Sequence, residues 1–153
     1  GSGMGSFDAE VARLAAELGE ADRVHVLPSV PLEELLSATA EADVGVTLLE
    51  DTCENHRLAL PNKLFDYVAA GIPVVASDLP EVRGIVERYD LGWLVDPGDP
   101  RSIAAGLEKA LAEPPVGFAE GSERARGELR WDRESARLTD LYAELLPSAG
   151  EPL

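Results

Sequence analysis

The sequence predicts an α/β fold, a doubly wound parallel sheet with helices on both faces, forming a Rossmann-like lobe. Three observations predict it. Helical and strand-like periodicities alternate along the chain, the strands are continuous Val, Ile and Leu runs, and the connections between elements are short. A strand without polar alternation is buried on both faces, which is the condition of a parallel sheet between two helical layers. Right-handed crossovers then distribute the helices over both sides.

Each element has its own warrant. Residues 1–6, rich in glycine, read either as an expression scar or as a glycine-rich turn; with no cationic start and no apolar stretch they are not a signal peptide. Phe7, Val11, Leu14, Ala15 and Leu18 recur at helical spacing and stop at Gly19, a helix-closing residue. Val24, Val26 and Leu27 predict a short strand, and Pro31 opens an amphipathic helix through Leu35, Leu36 and Thr39. The apolar run 44–49 predicts the next strand, followed by a polar stretch over 50–57. After it come a helix over 61–70 closed by Gly71, a strand over 72–76, a helix over 80–88, a strand over 92–95 and a helix over 100–112. Pro114, Pro115, Gly117, Gly121 and Gly127 break any regular pattern, so residues 113–127 predict a linker or loop. A last amphipathic helix covers 132–146. The organisation expected is a lobe over 7–113, a linker region over 114–130, a closing helix over 131–147 and a tail over 148–153.

The 153 residues fit one domain, and 45% hydrophobic with 27% charged residues describes a globular chain. The single cysteine, Cys53, closes no intrachain bridge and is expected to be an inert thiol. No uncharged run of about 18 apolar residues is present to span a bilayer. With 29 acids against 13 bases the formal charge is −16. Nucleic acid is therefore excluded as a partner, because binding it requires cations gathered to neutralise several phosphates. Any anion must be held locally.

In doubly wound folds ligands sit beyond the carboxyl ends of the strands. The loop after Leu49 is dense in polar groups, EDTCENHR at 50–57, and leads into a helix that starts at Pro61. A proline there leaves the amides of Asn62, Lys63 and Leu64 pointing outward, and free amides at the positive end of a helix dipole hold an anion without net positive charge. Lys63 adds a cation where helix electrostatics alone disfavour one, which suits a phosphate; an ordinary solvated lysine is the other reading. Asp66, one turn on, either accepts two hydrogen bonds from a vicinal diol or merely complements the dipole.

The stretch LPNKLFDYVAAGIPVVAS at 60–77 resembles the donor-binding segment of the C-terminal domain of GT-B glycosyltransferases, in particular the retaining family 4 group. DRVHVLPSVPLEELL at 22–36 resembles the strand and helix beside that family's base pocket, ADV at 42–44 its next strand, and LGWLVDPGDP at 91–100 its late strand and turn. Trp131, Leu138, Leu141 and Tyr142 resemble its closing helix, which crosses to the other domain. The resemblance implies that Asp66 binds the ribose hydroxyls of a UDP-, GDP- or ADP-sugar, with Pro61, the Asn62 to Leu64 amides and the Lys63 side chain on the phosphates. Leu27, Pro28 and Val30 would line the base.

Two departures stand out. The family commonly has Glu at both ends of a nine-residue span, whereas here the far end is Asp66 and the near end Leu58. Glu54 and Asn55, with Arg57, are the candidates to replace the missing acid from the preceding loop, and His56 either meets the sugar or a phosphate or is simply exposed. His25, inside the first predicted strand, is expected to be structural. No cofactor and no metal are implied. The resemblance also implies an upstream strand, helix and strand, an Arg and a Lys clamping the diphosphate, and a separate N-terminal domain for the acceptor. The chain is thus expected to be a fragment that does not catalyse transfer alone, its parent a cytoplasmic enzyme with peripheral membrane association as a further expectation. Two other functions remain open at this point: a nucleotide-sugar epimerase, whose proton-removing group would be a loop carboxylate or His56, and a non-catalytic domain with a degenerate site, favoured by Leu58.

Overall fold

In the computed structural model, residues 4–146 are described. The chain divides into two units, Gly1–Leu32 and Glu33–Leu153. The predicted tail at 148–153 and residues 1–3 lie outside the described residues.

In the first unit, helix α1 spans Met4–Glu17. Met4, Gly5 and Ser6 are its first turn, not a separate segment. It closes in a Schellman motif: Gly19 is left-handed at φ 75°, its amide donates to the Ala16 carbonyl at 3.1 Å, and the Glu20 amide donates to that of Ala15 at 2.8 Å. The strand expected at Val24, Val26 and Leu27 does not form. This segment is irregular and exposed, His25 included, because β-propensity produces a strand only where a neighbour completes the ladder, and the three strands of the sheet all lie further on.

Helix α2 (Leu32–Thr39), all but its first residue in the second unit, is followed there by β1 (Gly45–Thr47), α3 (Glu54–Arg57), α4 (Asn62–Ala70), β2 (Val74–Ser77), α5 (Pro80–Arg88), β3 (Gly92–Val95), α6 (Pro100–Ala112), α7 (Phe118–Glu128) and α8 (Trp131–Leu145). The sheet is parallel in the order β1-β2-β3, with Val46 opposite Val75 and Val75 opposite Trp93. All four residues of the central β2 are buried, as a continuous apolar run requires. Val74 and Ala76 meet Leu64 and Val68 of α4, Val82 and Val86 of α5 and Ala125 of α7. Val75 turns the other way, to Val95, Ala110 and the half-buried Ile103 and Leu107 of α6. Helices on both faces make the sheet doubly wound, as expected. Because β1, α4 and β2 form a parallel crossover, α4 starts at the carboxyl edge of the sheet.

Residues 113–127 are not a linker. Most of them belong to α7, whose Gly121, Ser122 and Ala125 are buried. The glycines that read as breakers allow close approach: a Cβ at Gly121 would lie 1.8 Å from the Tyr89 carbonyl oxygen. Tyr89 is itself buried, donates its hydroxyl to Glu128 at 2.8 Å, and lies under the guanidiniums of Arg88 and Arg124 at 5.1 and 5.3 Å. Packing of this kind overrides a weak local propensity. Among the described residues no helix is long and apolar enough to cross a membrane.

Candidate functional site

Among the described residues, the start of α4 combines free donors with two unpaired charges. Pro61 is its N-cap, extended at φ −68° and ψ 137°, and offers no side-chain acceptor. The Leu64 amide, expected to be free, donates to the Pro61 carbonyl at 3.0 Å, the short bond that tightens a first helical turn. Asn62 and Lys63 therefore supply the available amides, with no partner among the described residues. The Lys63 side chain is exposed and the Asp66 carboxylate half-buried, and neither forms an ion pair among the described residues. Three positions apart, they share a helix face. Tyr67 anchors α4 to the sheet: its hydroxyl donates to the Val46 carbonyl at 3.0 Å and its ring fills the space where a side chain at Gly45 would stand. Burial raises the Tyr67 pKa above the usual tyrosine value, against the lowering effect of the Val46 bond, and the neighbouring Asp66 charge raises it further.

A crevice of about 590 Å³ opens at the carboxyl ends of all three strands. Its walls carry Glu50, Asp51 and Thr52 after β1, Asp78 after β2 and Asp96 after β3. The strand ends are held in register beyond the ladder, with the Leu49 amide donating to the Ser77 hydroxyl at 2.6 Å and the Asp78 amide to the Val95 carbonyl at 2.9 Å. Arg57 pairs with Asp51, and Arg83 with Asp78 and Glu87, whereas Glu50 and Asp96 face no cation among the described residues. The crevice is thus net acidic: it repels a phosphate and offers acceptors to hydroxyl groups. A second hollow of about 630 Å³ brings Glu54, Arg57 and Leu58 together beside Asp51, Thr52 and Pro80.

The remaining expected residues are placed differently. Asn55 is exposed and lines neither hollow, nor do Lys63 and Asp66, which stand on the surface of α4. Asn62 borders an apolar groove with Leu60, Phe65 and Trp131. Leu58 is 62% exposed at the C-cap of α3, an apolar side chain where the resemblance calls for an acid. Pro28 and Val30 belong to the first unit, in its exposed irregular segment. His56 Nδ1 lies 2.8 Å from the Glu50 carbonyl oxygen and 3.0 Å from the Thr52 hydroxyl. Asp78 and Asp96 were not among the expected site residues, although the loops after Ala76 and Val95 lie at strand carboxyl ends and each brings an acid within two residues of a predicted strand.

Residues 1–113 match the family described as "Glycosyl transferases group 1". The chain belongs to this family. Among curated relatives of this glycosyl transferase lobe, the D-inositol 3-phosphate glycosyltransferase of Thermobispora bispora is 33% identical over 138 residues, covering 89% of the chain and 31% of the relative. The amylovoran biosynthesis glycosyltransferase AmsK of Erwinia amylovora is 28% identical over 105 residues, covering 69% of the chain and 26% of the relative. Among solved structures, the sucrose-phosphate synthase of Thermosynechococcus elongatus superposes with a TM-score of 0.74 at 24% identity, over 90% of the chain and 34% of that protein. The fold is accordingly that of a GT-B glycosyltransferase lobe. The chain spans between about a quarter and a third of the length of these relatives.

Proposed function

We propose that this lobe binds the nucleoside diphosphate-sugar donor of a retaining, family 4 glycosyltransferase, with UDP, GDP or ADP as the nucleotide. The observation that carries the reading is the start of α4: two amides and an Asp66 carboxylate without partners among the described residues, with the Lys63 ammonium on the same face as Asp66. The amides and Lys63 bind the diphosphate and stabilise the charge that develops on it as the sugar departs. Asp66 accepts hydrogen bonds from the ribose diol. The hexose then lies toward the hollows at the strand ends, where carboxylates suit its hydroxyls and would repel the phosphates. Glu54, on the wall of the second hollow, takes the place of the acid that Leu58 lacks.

The whole protein, on this reading, transfers the hexose to an acceptor held by an N-terminal domain, in the cytoplasm and in peripheral contact with a membrane. The decisive experiment is thermal unfolding of this chain with UDP, GDP, ADP and their sugars. A ligand at about 100 times its dissociation constant stabilises the native state by about 2.7 kcal/mol. Absence of a shift with every nucleotide sinks the donor-binding reading.

A further inference from the structure

We propose that His56 is a positioning residue, whose Nδ1–H clasps the loop between β1 and α3 and so fixes the wall shared by the two hollows. A carbonyl oxygen has no proton to give, so the 2.8 Å contact with Glu50 requires the proton on His56 Nδ1, and the Thr52 hydroxyl oxygen at 3.0 Å is its second acceptor. The Glu50 carbonyl also accepts from the Thr52 amide at 2.9 Å, so both its lone pairs are engaged. On the far side of the loop the His56 and Arg57 amides donate to the Cys53 carbonyl at 3.0 and 3.3 Å, and Arg57 Nε pairs with Asp51 at 2.9 Å.

These bonds fold residues 50–57 onto themselves. The segment they hold includes Asp51 and Thr52, which line both hollows, and Glu54, which lines the second. Among these ties the imidazole is the side chain that links the beginning of the loop to α3 through a backbone group. Without it, Glu50 and Thr52 lose their direct tie to α3, and the Arg57–Asp51 pair remains as the side-chain link across the loop. The clasp stands on these contacts alone; its effect on a bound sugar rests on the donor-site reading above.

The test uses this chain in two measurements. Long-range proton–nitrogen NMR of the His56 ring should show the proton on Nδ1, and the Thr52 and Glu54 backbone amide signals should persist in His56→Asn, whose amide nitrogen stands where Nδ1 does. They should move in His56→Gln, which mimics Nε2, and in His56→Ala. Titration with UDP-, GDP- and ADP-glucose and the matching diphosphates should then show a loss confined to the sugar. His56→Ala and His56→Gln should weaken the nucleotide-sugar by about three- to tenfold relative to its diphosphate, the worth of one neutral hydrogen bond, and His56→Asn should restore it. A proton on Nε2, or His56→Gln matching His56→Asn, overturns the clasp. If the unsubstituted chain binds none of the nucleotides, the donor-site reading falls and the NMR contrast still decides the clasp.

Discussion

Lys63 and Asp66 matter for what they do not touch. The ion pairs among the described residues are all made by arginines, among them Arg57, Arg83, Arg88 and Arg137, and Lys63 stays clear of every acid there. If Asp66 holds a ribose diol, Asp66→Ala lowers nucleoside diphosphate affinity about tenfold or more, the loss expected for hydrogen bonds to a charged group. The preference of the unsubstituted chain for a ribonucleotide over its 2′-deoxy form should vanish in the same variant, as read by parallel calorimetric titrations. Tyr67 allows a test of stability. Its folded pKa lies above the unfolded value of about 10, so the native state retains a proton that the unfolded chain releases, and the contribution is complete below about pH 10 and lost as pH rises through the folded value. Urea midpoints measured across that range should fall more gently in Tyr67→Phe. A residual fall should persist from Tyr89, which burial, first of all, shifts the same way.

At the scale of elements, α7 is where the sequence misled and packing decided. Gly121 sits against the Tyr89 backbone, so Gly121→Ala forces α7 away from the end of α5 and should cost about 1–3 kcal/mol in denaturant unfolding. Gly84 is the control. It lies on the exposed face of α5, where an added Cβ meets nothing within 4 Å, and Gly84→Ala should stabilise by roughly 0.5–1 kcal/mol through helix propensity. Helices α5 and α6 and strand β3 were legible to the residue, because Pro80 and Pro100 start the helices and a buried strand is a plain apolar run. The expected strand at 24–27 failed for the opposite reason: its residues have the right propensity, but a ladder needs a second strand.

For the whole molecule the charge of −16 acts at long range, while the proposed anion site acts locally. Screening extends about 30 Å at 0.01 M salt and about 8 Å at 0.15 M. Association of an anionic nucleotide should therefore accelerate as salt rises over that range, in contrast to a basic site, where it slows. Stopped-flow binding at several ionic strengths checks this. A rate that falls with salt would mean that the field around Lys63 outweighs the net charge.

The sequence by itself determined the class of fold, the lobe's family and the helix whose start carries the unpaired amides, because periodicity, proline placement and an ordered motif are local properties of the chain. It also placed the polar loop at the carboxyl end of β1. Only the tertiary structure decided that the Leu64 amide is taken by Pro61, that Asp78 and Asp96 join Glu50 and Asp51 around one acidic crevice, and that His56 reaches back to Glu50. Each of these depends on which groups meet across a turn or between strand ends, and spacing along the chain does not specify such meetings.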